Sequence, residues 1–542
     1  MINNLPLTSP ERAAQYRKKG FWKDVTVAEK FFSVAAEYGD KTALICGDRS
    51  LSYRELATAV RTLAANLSNA GMGAGDVVAG QLPNALECPM LHFACNTIGA
   101  IYMPLHDSWR EHELEQLLAL ANAKIIVCPG VYKQFDYTAM LTTIANNLPQ
   151  SLQVYSLAEC GSGVKPFTDL LVARDNEREL IAGKMPDPDY PAALMLSGGT
   201  TSVSKISRFS SNNILAMIEP AAKAARLTEN DIAAAIAPAG TGATGYLYPI
   251  FMPLMKGATA VILPLWRDPK DALLLLEKYH CSYAVAIPTQ MSKMVPVLEA
   301  ETFQINSLRC FANAGAPLPL ETAVKIERYL ECRIQSIYGS TDGGVPTMTD
   351  LDDADDKRLQ TVGRVVDFAE LKICDEHGNR LPPGEKGEIV WRCADKSWGY
   401  MGDDAQTKAT FTEAGFYKSG DIGFLDEQGY LHITGRIKDM ILRGGRNISP
   451  QAIEEPLMKH SAVLEVAVAA IPDPILGEKA GAFVVLREAA SLDFETMKQF
   501  LLESGLAVWQ LPEKLIILDD LPRGAGGKVR KSDLTDMAKT LI

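Results

Sequence analysis

Residues 196–205 read LSGGTTSVSK, two glycines flanked by hydroxyls with a lysine behind them. Gly198 and Gly199 let backbone N–H groups converge on an anion, Ser197, Thr200 and Thr201 add donors, and Lys205 supplies a charge suited to a triphosphate. This is not a Walker A loop, because Lys205 is followed by Ile206 where that loop needs Ser or Thr. On its own the run could equally be a polar surface turn. A second run, IYGSTDGG at 337–344, sets an aromatic ring, a hydroxyl and a carboxylate within five positions at the end of an apolar strand. In an open α/β sheet that end is where ligands bind. Tyr338 is suited to stacking on a base and Thr341 to donating to a phosphate. Asp342 is suited to holding Mg2+ on a nucleotide, since magnesium takes one or two carboxylates and completes its shell with phosphate oxygens. This run, too, could be a mere turn.

A third run, GTGATG at 240–245, follows the apolar DIAAAIAPA and fits G-x-G-x-x-G. A dinucleotide fingerprint needs a strand before it, a helix N-terminus at it and an acidic residue about twenty positions on. The strand is plausible and Asp268 lies at a tolerable distance. Pro249 and Pro253, however, stand where the phosphate-binding helix would run, and an interior proline costs about 3 kcal/mol. The dinucleotide reading is therefore weak.

The elements that would carry these runs follow a pattern. From about residue 25 to 270, β-branched runs (TALIC, DVVAGQL, AKIIVCP, ATAVILP) alternate with helix-length segments, which calls for α/β architecture with mainly parallel sheets flanked by helices. The helix in SYRELATAVRTLAANLSNAG has Ser52 and Glu55 placed as a capping box and Gly71 to end it. A second βα-rich stretch runs from about 270 to 350. From 360 to 435 short alternating strands and glycine turns predict an antiparallel sheet or small β-barrel-like subdomain, and beyond Arg436 a compact α+β segment follows.

A chain of 542 residues exceeds what one core supports, so at least two domains are expected. The net charge of -12, with no basic run, argues against a nucleic-acid partner. The polar start lacks a signal-peptide pattern, and Lys256 and prolines interrupt the most apolar segment, so a cytoplasmic enzyme with no membrane partner is expected. Ten cysteines without C-x-x-C pairs read as buried reduced thiols. No histidine spacing suggests zinc.

Three further pieces fall in order: NAGAPLP at 313–319, YKSGDIGFLDEQGYLHITGRIKD at 417–439 and GAGGKVRK at 524–531. With the two ligand runs they resemble the adenylate-forming superfamily of acyl-CoA and aryl-CoA ligases and adenylation domains, over nearly the whole chain. Within it, AAQYRKKGFWKD, LSGGTT and TDLDD look most like stand-alone aryl-acid adenylating enzymes of siderophore pathways, the 2,3-dihydroxybenzoate-AMP ligase type. The resemblance implies an N-terminal core over 1–436 that binds ATP and a carboxylic acid, and a small mobile C-terminal domain over 437–542. It implies ATP and Mg2+, release of pyrophosphate, and transfer of the acyl group to coenzyme A or to the phosphopantetheine of a carrier protein.

By the same resemblance Ser197, Gly198, Gly199, Thr200, Thr201 and Lys205 wrap the phosphates, and Gly315, Ala316 and Pro317 form the adenine-side loop. Tyr338, Gly339 and Ser340 also contact the nucleotide, Thr341 meets the α phosphate and Asp342 the metal. Asp421 and Arg436 hold the ribose. Lys528 is the catalytic lysine, with Gly526 and Gly527 freeing its loop; Lys438 is the hinge, and Gly444 and Gly445 face the acceptor channel. Gly240, Thr241, Gly242, Gly245 and Gly339 line the acid pocket.

Three positions depart from the family pattern. Ser202 replaces a glycine, Ser204 a proline, and Asp342 a glutamate one methylene longer. Where hydroxybenzoate enzymes carry His-Asn, this chain has Thr241 and Gly242, and no side chain at Gly242 can bond a phenol. A substrate hydroxyl aimed there would be left unpaired, so the expected acid is aromatic, alicyclic or medium aliphatic rather than 2,3-dihydroxybenzoate. Three other readings stand beside this one: an amide ligase passing the adenylate to an amine, a dinucleotide-dependent oxidoreductase, and a degenerate nucleotide-binding protein. The retained Lys205, Asp421, Arg436 and Lys528 weigh against the last.

Overall fold

The computed structural model describes residues 8–158, 161, 163–197, 205–524 and 528–540. The helix Tyr53–Asn69 forms as its ends dictate: Ser52 Oγ accepts from Glu55 N at 3.2 Å, Glu55 Oε2 accepts from Ser52 N at 2.8 Å, and Gly71 follows with φ +89°. The β-branched runs all form strands. They divide between two large sheets, and the division does not follow chain order.

The seven-stranded sheet runs Lys205–Ser210, Pro191–Ser197, Ile101–Leu105, Val77–Gln81, Ala123–Cys128, Gln153–Ser156 and Lys165–Pro166, with one antiparallel pair at the Lys205–Ser210 edge. The nine-stranded sheet is parallel from Arg333–Ser340 through Cys310–Ala314, Tyr283–Ala286, Ile232–Ala235 and Thr259–Ile262 to Thr42–Cys46, with antiparallel strands added at both edges. The strand Thr42–Cys46 thus pairs with Thr259–Ile262, about two hundred residues away, because the sheet that buries its Ala43 and Leu44 is completed only by the later chain.

Against the seven-stranded sheet and under the helices Val27–Glu37 and Tyr53–Asn69 lies the helix Glu87–Thr97, all eleven residues of which are buried. Phe93 of this helix stacks on Phe31 at a centroid distance of 4.2 Å, and Phe251 packs against both His92 and Phe93. Its buried polar side chains are paired: Glu87 with Arg49, His92 with the Tyr246 hydroxyl, and Asn96 and Thr97 with the Ala192 and Phe93 carbonyls.

The segment expected to be a small antiparallel subdomain is a four-stranded meander, Ala369–Cys374, Gly387–Cys393, Tyr417–Leu425 and Leu431–Arg436. The N-terminal segment and the helix Ser211–Ala224 tie it down: Trp22 Nε1 and Asn213 Nδ2 each donate to the Ala394 carbonyl at 2.9 Å. After Arg436 the chain leaves this sheet through one 3-10 turn, Ile437–Asp439, and enters a five-stranded sheet. There Gly477–Leu486 and Val463–Asp473 pair over ten residue positions, and helices Pro450–Leu457, Phe494–Glu503 and Lys531–Thr540 cover the strands around a separate apolar core that includes Ile441, Val468 and Met497. Eight of the nine cysteines among the described residues are buried, and no helix among those residues is long and apolar enough to cross a membrane.

Candidate active site

The strand Arg333–Ser340 delivers Tyr338 to the edge of the four-stranded meander, where the Tyr338 hydroxyl donates to Asp421 Oδ2 at 2.7 Å. Arg436 Nε takes the other oxygen of the same carboxylate at 2.6 Å. Asp421 and Arg436 are direct register partners on neighbouring strands, so sheet pairing itself brings this acid and base together. Burial and the Asp421 charge push the Tyr338 phenol far above its ordinary range, which keeps it a donor. The ring packs edge-on against Trp391 at 5.5 Å.

Past the strand, Asp342 is buried, and two hydroxyls fix it: Ser207 Oγ donates to Oδ1 at 2.7 Å and Tyr400 to Oδ2 at 2.9 Å. Ser207 lies on the strand that begins at Lys205, and Lys205 Nζ lies 4.7 Å from the centroid of the Tyr400 ring. Neither Ser207 nor Tyr400 stood out in the sequence; both become legible only once that strand and the 393–400 segment meet.

Lys528 reaches the same cleft from the C-terminal domain. Gly524 N–H donates to the Lys528 carbonyl at 2.8 Å, and Arg523 pairs with Val529, so the lysine stands at the base of a closed loop. Arg523 anchors the loop across the domain boundary, its Nη1 donating to Thr289 Oγ1 at 3.1 Å. The Lys528 ammonium is pushed down to about 8, first by the surrounding protein, then by Arg436 and Lys438, with Asp421 and Asp342 pulling the other way. Its side chain keeps contact with solvent, so these charges are partly screened. Lys528, Lys438, Arg436, Asp421 and Asp342 thus share one cleft, and Lys205 acts on Lys438 there as well.

Gly315, Ala316 and Pro317 form an exposed loop after the strand Cys310–Ala314, and a side chain at Gly315 would point toward Thr244 Oγ1, 3.9 Å from its Cβ. Gly444 and Gly445 make the two-residue turn of a hairpin between Ile441–Arg443 and Arg446–Ile448, with φ of +56° and +81°, the mirror-image geometry tight hairpins favour. Of the phosphate run, Ser197 ends its strand and Lys205 begins the next; Gly198, Gly199, Thr200, Thr201, Ser202 and Ser204 lie outside the described residues, as do Gly526 and Gly527.

The GTGATG run departs from its sequence reading. The prolines after it do not prevent a helix: residues Ala243–Phe251 form a π-helix that includes Pro249, and Pro253 falls in the first turn of the next helix, Met252–Met255, where its missing N–H is no loss. π turns are frequent at functional sites. A Cβ at Gly245 would lie 1.8 Å from the Pro238 carbonyl oxygen, one at Gly240 2.7 Å from His106 Cα and one at Gly339 2.5 Å from the Gly344 carbonyl oxygen, so all three face protein. Gly242 differs: a Cβ there meets nothing within 4 Å, but its φ of +66° with ψ of -122° is open to glycine alone. Thr241 is tied back, its hydroxyl donating to the Pro238 carbonyl at 2.6 Å.

For magnesium the donor set fits. Asp342 is a single oriented carboxylate beside a cationic cleft, and no cluster of three or more acidic, histidine or cysteine ligands exists among the described residues. That is the pattern for an ion that completes its shell with substrate phosphates.

Two helix-flanked sheets, a small antiparallel sheet and a separate domain that returns a lysine to the cleft define an adenylate-forming ligase. The chain belongs to the AMP-binding enzyme family: the family model matches residues 31–401, and that of the AMP-binding enzyme C-terminal domain matches residues 452–528. It is 32% identical to the medium-chain fatty-acid–CoA ligase of Escherichia coli K12, over 96% of this chain and 92% of that one. It is 29% identical to the 2,3-dihydroxybenzoate-AMP ligase of Bacillus subtilis, over 97% and 96%. The ATP-bound MatB structure from Rhodopseudomonas palustris superposes with a TM-score of 0.85 at 26% identity, covering 95% of this chain and all of that one. Family membership removes the oxidoreductase reading of GTGATG.

Proposed function

We propose that this ligase activates an apolar carboxylic acid, aromatic, alicyclic or medium aliphatic, and not 2,3-dihydroxybenzoate. The acyl-adenylate then passes to a pantetheine thiol of coenzyme A or of a carrier protein. The observation that carries the choice of acid is Gly242, which leaves open space where a phenol-binding amide would stand. Its backbone conformation also keeps that amide from being restored by a simple exchange. Gly242→Asn is expected to destabilise the protein by about 1–3 kcal/mol, through the strained φ/ψ alone, and to bring no activity with 2,3-dihydroxybenzoate; thermal unfolding and pyrophosphate exchange check the two halves.

Asp421 accepts from the vicinal ribose hydroxyls, with Arg436 and Tyr338 fixing its carboxylate. The acid's carboxylate oxygen attacks the α phosphorus and the bond to pyrophosphate breaks. Lys528 sets an ammonium between the two approaching anions, and Lys205 and Thr341 meet phosphate oxygens. Magnesium, when bound, neutralises phosphate charge, and Asp342, oriented by Ser207 and Tyr400, would hold it. Asp342→Asn is expected to raise the Mg2+ needed for half-maximal exchange by about tenfold or more, as read by titrating the metal at fixed ATP.

The 3-10 turn at Lys438 is the hinge, and rotation about it brings the Gly444–Gly445 hairpin to the acceptor side. The decisive experiment is a panel of carboxylic acids in ATP–pyrophosphate exchange, followed by addition of coenzyme A or carrier protein. Exchange driven best by apolar acids, with a thioester formed on adding thiol, is the expected result; exchange with no acid at all would refute the reading.

A further inference from the structure

Tyr400 is buried beside the edge strand Lys205–Ser210, and backbone bonds hold it there. Tyr400 and Ser207 are antiparallel bridge partners, and the Met401 and Trp398 N–H groups donate to the Ile206 and Arg208 carbonyls at 2.8 and 2.9 Å. The Tyr400 N–H donates to Thr407 Oγ1 at 2.9 Å, and that hydroxyl donates to the Asp403 carbonyl at 2.9 Å. The Phe411 ring packs against the Tyr400 ring at a centroid distance of 6.4 Å. The tyrosine therefore has a fixed place against a strand whose Lys205 and Ser207, two positions apart, share one face.

Its hydroxyl and its ring meet different groups. The hydroxyl donates to Asp342 Oδ2 at 2.9 Å while Ser207 Oγ donates to Oδ1 at 2.7 Å, so the carboxylate is oriented through both oxygens. The Lys205 ammonium stands over the ring, 4.7 Å from its centroid. Among the described residues no carboxylate pairs with that ammonium. For a phosphate site the difference matters. A carboxylate would orient the lysine but compete for its N–H donors, whereas an aromatic face attracts the ammonium through its quadrupole and leaves its charge in place. A lysine stem is flexible, and one held in advance loses less freedom when an anion binds.

We propose that Tyr400 is a positioning residue for ATP and its magnesium: the ring holds the Lys205 ammonium ready for a phosphate, and the hydroxyl orients Asp342 toward the metal on the same triphosphate. This rests on the acid-adenylating reading above, in which Lys205 and Asp342 take those parts, and adds that a single side chain sets one against the other. Substitution separates the two handles. Tyr400→Phe removes the hydroxyl alone, and Tyr400→Leu removes the hydroxyl and the ring face together.

The test is equilibrium binding of ATP to the full-length enzyme by calorimetry, once with EDTA and once across a series of Mg2+ concentrations. Tyr400→Phe should bind metal-free ATP as the wild type does, yet need about tenfold more Mg2+ for half of the metal's effect. Tyr400→Leu should show the same metal defect and also bind metal-free ATP roughly threefold to thirtyfold more weakly. In a Lys205→Met background the leucine change should cost no further metal-free affinity, because the ring acts through the lysine. A Mg2+ series for Tyr400→Phe that matches the wild type, or a leucine effect as large without Lys205 as with it, overturns the proposal. Equal metal-free binding by wild type and Lys205→Met would overturn the phosphate role of Lys205 and the proposal with it. Should Tyr400→Leu fail to fold, Tyr400→Met, which follows the tyrosine's outline more closely, replaces it, and the phenylalanine variant still decides the metal half. Wild-type enzyme that binds no ATP under either condition would instead count against the acid-adenylating reading itself.

Discussion

Replacing Lys528 with alanine is expected to slow carboxylate-dependent pyrophosphate exchange by about 10²–10³-fold, the usual loss when one preorganised donor to a developing charge is removed. Two anions must approach, and the cleft already holds Asp421 and Asp342; in the proposed assignment Lys205 meets phosphate, Arg436 fixes Asp421 and Lys438 is the hinge, so removing Lys528 leaves no assigned cation at the reacting oxygen. Because the free enzyme's ammonium is pushed down to about 8, kcat/KM for exchange should fall as pH rises past that value and the charge is lost. Lys528→Arg keeps its charge through that range and should flatten the alkaline limb while losing rate through altered reach. The loop is closed by its own backbone bond from Gly524 to Lys528 and anchored by Arg523, so the alanine variant should unfold at the wild-type temperature. An exchange rate within a few-fold of wild type, or an alkaline limb that persists in Lys528→Ala, would remove this lysine from the chemistry.

How far the sequence could be read depends on how local the cause is. The helix Tyr53–Asn69 was legible because Ser52, Glu55 and Gly71 act within one turn of its ends. The strands were legible from their β-branched runs, and their parallel order from alternation with helices. Which sheet each strand joins was not, since Thr42–Cys46 finds its partner only at Thr259–Ile262. In the cleft, Tyr338, Asp342, Asp421 and Arg436 could be named from short motifs, yet what orients them is nonlocal. Ser207 and Tyr400 hold Asp342 from segments 135 and 58 residues away. Glycines misled in a specific way: Gly240, Gly242 and Gly245 looked alike, but one makes room for His106, one adopts a backbone only glycine allows, and one packs on a carbonyl. The prolines at 249 and 253 read as helix breakers because the expectation assumed an α-helix, whereas the chain forms a π stretch and then starts a new helix.

Buried charge was the feature least visible in the sequence, and it yields the second large effect: Asp395→Asn is expected to stabilise the protein at neutral and higher pH. Asp395 is wholly buried, accepts from Val345 N–H at 3.0 Å through Oδ2, and has no hydrogen-bond partner for Oδ1 among the described residues. Burial pushes its carboxyl up to about 7 from 3.8, against the Cys393 thiol and the backbone N–H groups that favour the anion. A folded-state value above the unfolded one means that between those limits the folded protein binds more protons. Stability contributed by this group is therefore full below the unfolded value, falls as pH rises through the window, and is lost above about 7. At 1.36 kcal/mol per unit the difference is on the order of 4 kcal/mol. Asparagine does not ionise, so the stability gap between Asp395→Asn and wild type should widen from about pH 4 to pH 7 and then stay constant, as denaturant unfolding at a series of pH values would show. Lys396 next to it is also buried without a hydrogen-bond partner among the described residues, and burial lowers its ammonium to about 8. Its sign is opposite: stability is lost as pH falls from 10.5 to 8 and is constant below that, so Lys396 cannot produce the acid-side change. The two are sequence neighbours but make no hydrogen bond to each other: Lys396 Nζ and Asp395 Oδ1 each stand without a partner among the described residues. A gap that does not vary with pH would mean that Asp395 is already paired in solution, with water or a rearranged Lys396 reaching the Oδ1 that here stands alone.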